Sequence, residues 1–205
     1  MTTIKKRRGR PPTLDKEQAL AVAQNLFHEK GFDAVGIAEL SETIGVQPPS
    51  LYAAFGNKAA LFEKTVERYS ETNGQFVAAA FDTATSLEDG LEKLLLEAAH
   101  MYANNDGARG CLVMENTKCM SDRRAKDLCL SIHEATRQSI ATHIEAVRPD
   151  LADEIADHIM VALAGMSAAA RTGSSEENLS MFARVLANGL KRTLTTGNAG
   201  ILGSV

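Results

Sequence analysis

The sequence predicts an all-α protein with a three-helix N-terminal head and a larger helical body. Three observations carry that prediction. Ala, Leu, Glu and Lys are abundant, while the Val-rich alternation of strands is absent. Apolar residues recur at helical spacing in one segment after another, each bounded by a glycine or a capping residue. Residues 37–58, IAELSETIGVQPPSLYAAFGNK, set two short helical segments on either side of Gly45, the pattern of a helix-turn-helix. At 205 residues and 44% hydrophobic content, the chain is large enough for a small domain and a bigger one with its own core.

In chain order, residues 1–14 form a basic arm. Lys5, Lys6, Arg7, Arg8 and Arg10 precede Pro11 and Pro12, and no acid occurs among them. Arg8-Gly9-Arg10-Pro11 resembles the core of an AT-hook, an extended segment whose arginines are drawn into the narrow minor groove of A·T-rich DNA. The net charge of −4 hides an asymmetry: Lys and Arg outnumber Asp and Glu 8 to 6 up to Lys58, and are outnumbered 14 to 20 after it. A cationic end on an acidic protein fits a chain that meets a polyanion at one end only.

Residues 15–60 read as the head. A first helix starts at Asp15, with Gln18 completing a capping box, stops at Gly31, and buries Ala19, Ala23, Leu26 and Phe27. The helix-turn-helix follows. Pro48 suits the first turn of its second helix, where a missing N–H costs nothing. Leu51 and Phe55 face inward, which turns Pro48 and Tyr52 outward.

Residues 61–195 read as the body. Asn57 caps a helix through Leu61, Phe62, Val66 and Tyr69 that is expected to run on towards Phe81 and tie head to body. Ser86 with Asp89 opens the next helix. A loop at Ala108 to Gly110 precedes a short apolar piece from Cys111 to Glu115. Ser121 or Asp122 starts a long helix that Pro149 breaks, Asp150 caps its successor, and Ser174 with Glu177 opens the last. Residues 196–205 read as a frayed tail.

The first helix, ALAVAQNLFHEKGFDAV, and the stretch IAELSETIGVQPPSLYAAFGNKAALFEKTVERY resemble the TetR/AcrR family of transcriptional regulators over about a quarter of the chain. The resemblance implies a homodimeric repressor that binds a palindromic operator in double-stranded DNA and is released by a small molecule bound in the body. An alternative is a repressor that senses oxidants or electrophiles through Cys111.

Position by position, the resemblance assigns DNA contact to Gln47, Pro48, Pro49, Ser50 and Tyr52 on the recognition helix and phosphate contact to Lys58. Arg7, Arg8 and Arg10 of the arm join them. Where the family has Thr or Ser, this chain has Gly36, so contact there falls to main-chain N–H groups. No Arg or Asn is available for bidentate base pairing. Readout is expected from Gln47 and Ser50, thymine-methyl contact from the prolines or Ala53, and much of the affinity from phosphate.

In the body, Phe76, Leu95, Ala98, Met101, Tyr102, Cys111, Met114 and Ile132 are the candidate lining of an effector pocket suited to a hydrophobic or aromatic ligand. Taken singly, each reads first as ordinary core. Small residues on the last two long helices (Ala162, Ala164, Gly165, Ala168, Ala169, Ala187 and Gly189) resemble the family's dimer-forming pair.

Cys111 has two readings: a thiol whose pKa Arg109 lowers, with Cys119 as a resolving partner, and, favoured over it, a small buried residue at a tight turn. Cys129 and His133, four apart, make only half a metal site, with Cys119 or Glu115 to complete it. Neither a metal nor a cofactor is therefore expected. No nucleophile–base–orienter set, phosphate-cradling glycine loop or carboxylate pair is present, so the chain reads as a non-enzyme. The longest nearly apolar run, Ile159 to Ala170, is too short to span a bilayer. Three irregularly spaced cysteines without a secretory signal fit the reducing cytoplasm.

Overall fold

A computed structural model of the chain describes residues 14–104, 108–116 and 121–196. Ten α-helices follow one another, and no strand occurs among the described residues. The arm residues Arg7, Arg8 and Arg10, together with Cys119 and the tail beyond Thr196, lie outside the described residues.

Local signals set the head. Asp15 accepts hydrogen bonds from the backbone N–H groups of Glu17 (3.0 Å) and Gln18 (3.1 Å), starting α1 (Lys16–Lys30). The cap is the aspartate's alone rather than a reciprocal box. Helix α2 (Ile37–Ile44) starts from Gly36 without a side-chain cap. It closes on Gly45 at φ 80°, a left-handed turn that glycine enters without strain; the N–H groups of Gly45 and Val46 both return to Ser41 O. Helix α3 (Pro48–Phe55) opens on its two prolines, and Asn57 caps α4 (Lys58–Asn73) by accepting from Ala60 N at 2.8 Å.

Phe27, Phe32 and Phe62 stack and edge together beneath these helices, with ring centroids 5.1–5.9 Å apart. Leu40 and Leu51 hold α2 and α3 onto that cluster. One face of α4 is therefore committed to the head by Leu61, Phe62 and Val66, while Tyr69 reaches the body.

The body comprises α5 (Phe76–Asp82), α6 (Leu87–Ala103), α7 (Leu112–Asn116), α8 (Arg123–Glu145), α9 (Ala152–Arg171) and α10 (Glu176–Thr195). Helix α6 is central to it. Its Leu91, Leu94, Leu95, Ala98 and Ala99 are fully buried, and it packs against α5, α9 and most extensively α10.

The structure corrects several sequence expectations here. The helix expected from Asn57 towards Phe81 is two helices. Gly74 separates them: its N–H bonds to Ser70 O at 3.1 Å, and a Cβ there would lie 2.6 Å from that oxygen. Helix α8 already ends at Glu145, before Pro149. Asp150 does not cap α9, because Arg148 takes both its carboxylate oxygens (2.9 and 2.8 Å) and the helix starts from Leu151 with no side-chain cap. Ser175, rather than Ser174, caps α10, accepting from Asn178 N at 3.2 Å.

Head and body meet along the end of α1. Arg171, at the end of α9, donates to the carbonyls of His28 (2.7 Å) and Glu29 (2.9 Å), placing a cation on the negative end of the α1 dipole. His28 Nε2–H donates to Gly110 O (3.1 Å), and Phe32 N–H donates to Asn116 Oδ1 (2.9 Å). The Asp33 carboxylate accepts from Ser121 N–H and its hydroxyl.

Burial, with the nearby Arg171 cation, pushes the His28 imidazole down to about 4, against a weaker upward pull from the Gly110 carbonyl. An imidazole protonated more readily in the unfolded chain makes stability fall as pH drops from about 6.5 towards 4. The expected loss is about 3 kcal/mol at full extent. His28→Gln should abolish most of that acid sensitivity, measured as the change in Tm between pH 7 and pH 5 against the parent protein; an unchanged pH dependence contradicts the assignment.

Candidate nucleic-acid interface and body cavity

The helix-turn-helix presents one polar, solvent-facing surface. Leu51 and Phe55 point into the head core, which leaves Gln47, Pro49, Ser50 and Tyr52 exposed along α3 with Gly36 exposed at the start of α2. Pro48 is half-buried, so it contributes only its edge to that face. Tyr52 is 48% exposed, which removes it from the head core and leaves its hydroxyl free to meet a backbone phosphate.

Lys58 is placed differently from a freely projecting phosphate ligand. Its Nζ sits 4.3 Å over the Phe32 ring. Partial burial lowers the ammonium pKa, and the nearby Asp33 and Asp122 carboxylates oppose that shift. Between α1 and the α2–α3 turn lies an open groove of about 520 Å³ that Gln18, Val22, Thr43, Val46, Gln47 and Ser50 line. Gln18 and Thr43 there carry no sequence signal that separates them from ordinary surface.

A second, inner cavity of about 60 Å³ opens where the end of α4 meets α5, α6, α7, α8 and α9. Phe76, Tyr102, Cys111, Met114 and Ile132 come together on its wall. Leu95, Ala98 and Met101 do not line it: Leu95 and Ala98 are wholly buried in the packing of α6, and Met101 is half-buried against the core. Sequence reasoning missed Tyr69, Ser70 and Asn73, which continue the wall along α4. Their spacing of one and four residues was the available signal, hidden because Tyr69 also reads as a core residue.

Cys111 lies at the centre of this wall. Burial raises its thiol pKa, only partly offset by the backbone N–H groups of Met114 and Val113 and by the Tyr69 hydroxyl. The reading in which Arg109 lowers it is therefore not met. The Arg109 guanidinium is directed away, donating to Ala103 O (3.2 Å) and Ser174 O (3.4 Å). Desolvation, and then the neighbouring Cys111 thiol, likewise raises the phenols of Tyr69 and Tyr102 well above their ordinary range. The wall is therefore uncharged at neutral pH along this stretch, and a buried protonated thiol is a poor nucleophile.

Cys129 is wholly buried, with its thiol pushed up to about 12 by desolvation. Glu115 accepts from Ser167 Oγ at 2.7 Å and faces Arg171 at 3.7 Å. No group of three or more metal-binding side chains gathers among the described residues.

The outer surface of the last two helices is apolar where water should meet it. Helix α10 buries Leu179, Ala183, Ala187, Leu190 and Leu194 within the body, leaving Met181, Phe182 and Val185 outward. On α9, Val161 and Gly165 are exposed a turn apart, with Ala164 and Ala168 half-buried beside them. Of the small residues expected at this surface, Ala162 and Ala187 are instead buried inside the body.

Comparison with known proteins places this arrangement. The family model described as bacterial regulatory proteins, tetR family, matches residues 19–65. The chain is 37% identical over 196 residues to the HTH-type transcriptional repressor BdcR of Escherichia coli K12, covering 95% of this chain and 99% of that protein. It is 30% identical over 191 residues to the repressor ComR of the same organism, covering 88% and 90% respectively. A solved structure of the TetR-family regulator CifR, a cysteine mutant in complex with 26-base-pair operator DNA, superposes with a TM-score of 0.78 at 26% identity, over 87% of this chain and 98% of that one.

Proposed function

The chain belongs to the TetR family of bacterial transcriptional regulators, and from that premise we propose that it is a cytoplasmic homodimeric repressor. It occupies a palindromic operator through α2 and α3 and leaves it when a small molecule fills the body cavity. The observation that carries the DNA reading is the exposed face of Gln47, Pro49, Ser50 and Tyr52 on a helix-turn-helix whose inward residues are fixed by the head core. Operator DNA bound to the similar regulator CifR supports it.

Three further observations support the finer points. The apolar outer surface of α9 and α10 supports a two-fold dimer, because contiguous exposed apolar area on a folded protein marks an interface. The cavity at the end of α4 supports control of the head, since α4 is shared by both parts of the molecule. The Gly110–Asn116 segment reaches the cavity through Cys111 and Met114, and the head through Gly110 and Asn116. No described helix is long and apolar enough to cross a membrane.

A gel shift on the DNA upstream of the protein's own gene tests the DNA reading. Neutralising six to ten phosphates should make affinity fall by about 10³–10⁵ between 50 and 200 mM salt. Arg8→Ala with Arg10→Ala should weaken binding by about tenfold or more and flatten that salt dependence, most strongly on A·T-rich flanks. Absence of binding at low salt overturns the proposed function, and a double variant that binds like the parent reduces the arm to a tail.

A further inference from the structure

The cavity wall also carries information about the chemistry of what fills it. We infer that the effector is a small uncharged molecule with a single oxygen-centred hydrogen-bonding group (an alcohol, phenol or simple carbonyl compound) and that this group meets the Ser70 hydroxyl on α4. The inference rests on the reading of this cavity as the effector site, and it adds ligand class and contact residue.

Charge decides the first part. No Asp, Glu, Lys or Arg lines the cavity among the described residues. Phe76, Val77, Val113, Met160 and Leu163 are among the apolar side chains that line it. Among the described residues His133 is the one basic side chain on the wall. An ammonium placed there gives up its hydration with no opposite charge to answer it, and a carboxylate has only that imidazole to meet, a cost of several kcal/mol. An uncharged ligand pays only for its one polar group.

The pairing of the wall's hydroxyls decides the second part. The Tyr69 and Tyr102 phenols sit beside the Cys111 thiol. Thr136 donates to Ile132 O at 2.9 Å. Ser70 Oγ is buried and has no hydrogen-bond partner among the described residues, nor does it bond back to the preceding turn as Thr65 does to Leu61 O. A ligand oxygen that pairs with Ser70 recovers a bond the folded protein leaves unmade. Ser70 also stands one turn before Gly74, where α4 ends, so the contact falls on the helix that carries the head.

Size sets the upper limit. The cavity of about 60 Å³ equals roughly two waters' share of liquid volume, whereas an apolar cavity that accepts benzene measures about 150 Å³. Short aliphatic alcohols and ketones approach the existing space, and a single six-membered ring requires the wall to open. Phe76 is the movable part. It is half-buried, touches Tyr102 only edge-on at 6.5 Å between centroids, and its other side faces an outer groove between α5 and α6.

The test uses four ring-sized probes on the full chain at pH 8: phenol, toluene, benzoate and benzylamine. Binding is read by thermal shift and titration, and operator occupancy is read in parallel. Phenol should bind most tightly, with benzoate and benzylamine weaker by about a hundredfold or more. Ser70→Ala should keep or raise the ligand-free Tm, because it removes an unmet polar group. It should weaken phenol by between about threefold and tenfold while leaving toluene unchanged. Binding of either charged probe as tightly as phenol overturns the inference, as does phenol binding that Ser70→Ala leaves intact, or no binding by any probe. Those failures with operator binding retained strike this inference alone, whereas loss of operator binding by the parent protein strikes the proposed function.

Discussion

Val185→Asp is expected to leave the protein monomeric in solution and to lower its affinity for operator DNA by at least about a hundredfold. Val161 and Val185 are 72% and 67% exposed, and Met181 and Phe182 are 59% and 48% exposed, all on the outer side of α9 and α10. So much apolar surface facing water on two adjacent helices stabilises nothing within one chain. In the proposed dimer, the same surface of a second copy covers it and removes it from water in a four-helix interface. Gly165 lies in the same strip with nothing within 4 Å of a built Cβ, which leaves room for a partner helix to approach closely.

A two-fold interface meets each substitution twice. Two aspartates near its middle bury like charges together and unpaired, at a cost of several kcal/mol. Because Val185 touches solvent in the single chain, the variant should keep the parent's helix content and nearly its Tm. Sedimentation velocity at micromolar concentration checks the mass, and anisotropy on operator DNA checks the affinity. A variant that remains a dimer with parental affinity places the interface elsewhere.

Asn116→Leu is expected to lower stability by about 2–4 kcal/mol and, separately, to weaken the link between cavity and head. Asn116 is 4% exposed and both ends of its amide are used: Oδ1 accepts from Phe32 N (2.9 Å) and Nδ2 donates to Leu112 O (2.8 Å). Leucine of similar volume strands a buried donor and acceptor at once, each costing about 1–3 kcal/mol. For a chain of this size that corresponds to a fall in Tm of roughly 5–15 °C.

The functional consequence follows from position. Helix α7 carries Met114 on the cavity and Asn116 under the head, two residues apart. With that tie cut, α4 itself still joins the two parts, with the Arg171 bonds to the end of α1, His28 on Gly110, Asp33 on Ser121 and the Arg124–Glu63 pair beside it. Arg171→Ala provides a milder second cut at an exposed residue. Both variants should still bind ligand, yet release operator DNA at higher ligand concentration than the parent. Parental Tm together with parental release in Asn116→Leu contradicts the coupling.

Where a residue's role is local, the sequence showed it. Asp15, Gly45, Asn57 and Ser86 cap or terminate the helices as their residue types predict, because a cap needs only the next three residues. Competition between neighbours was less legible. Asp150 is a good cap by type, but Arg148 holds it, and Ser174 and Ser175 are alike until the chain chooses. The break at Gly74 was hidden because the apolar periodicity continues through it.

The site divided in the same way. The exposed face of α3 follows from Leu51 and Phe55 pointing inward, so Gln47, Ser50 and Tyr52 were readable. The cavity was not, because helical periodicity identifies a buried face and cannot separate a residue facing a void from one facing another side chain. Leu95 and Ala98 share that face with Tyr102 and are simply packed. Ser70 was invisible for the same reason: only the three-dimensional pairing of its neighbours reveals a hydroxyl left without a partner.

The most direct measurement is a footprint of the parent protein on the DNA upstream of its gene. A dimer reading through two copies of α3 predicts protection of two inverted half-sites whose centres lie one helical turn, about 10 base pairs, or a whole multiple of it apart. The protection should disappear in Val185→Asp at the same protein concentration. Protection of a single half-site, sequence-independent coverage, or no protection at low salt would contradict a two-fold operator-binding regulator.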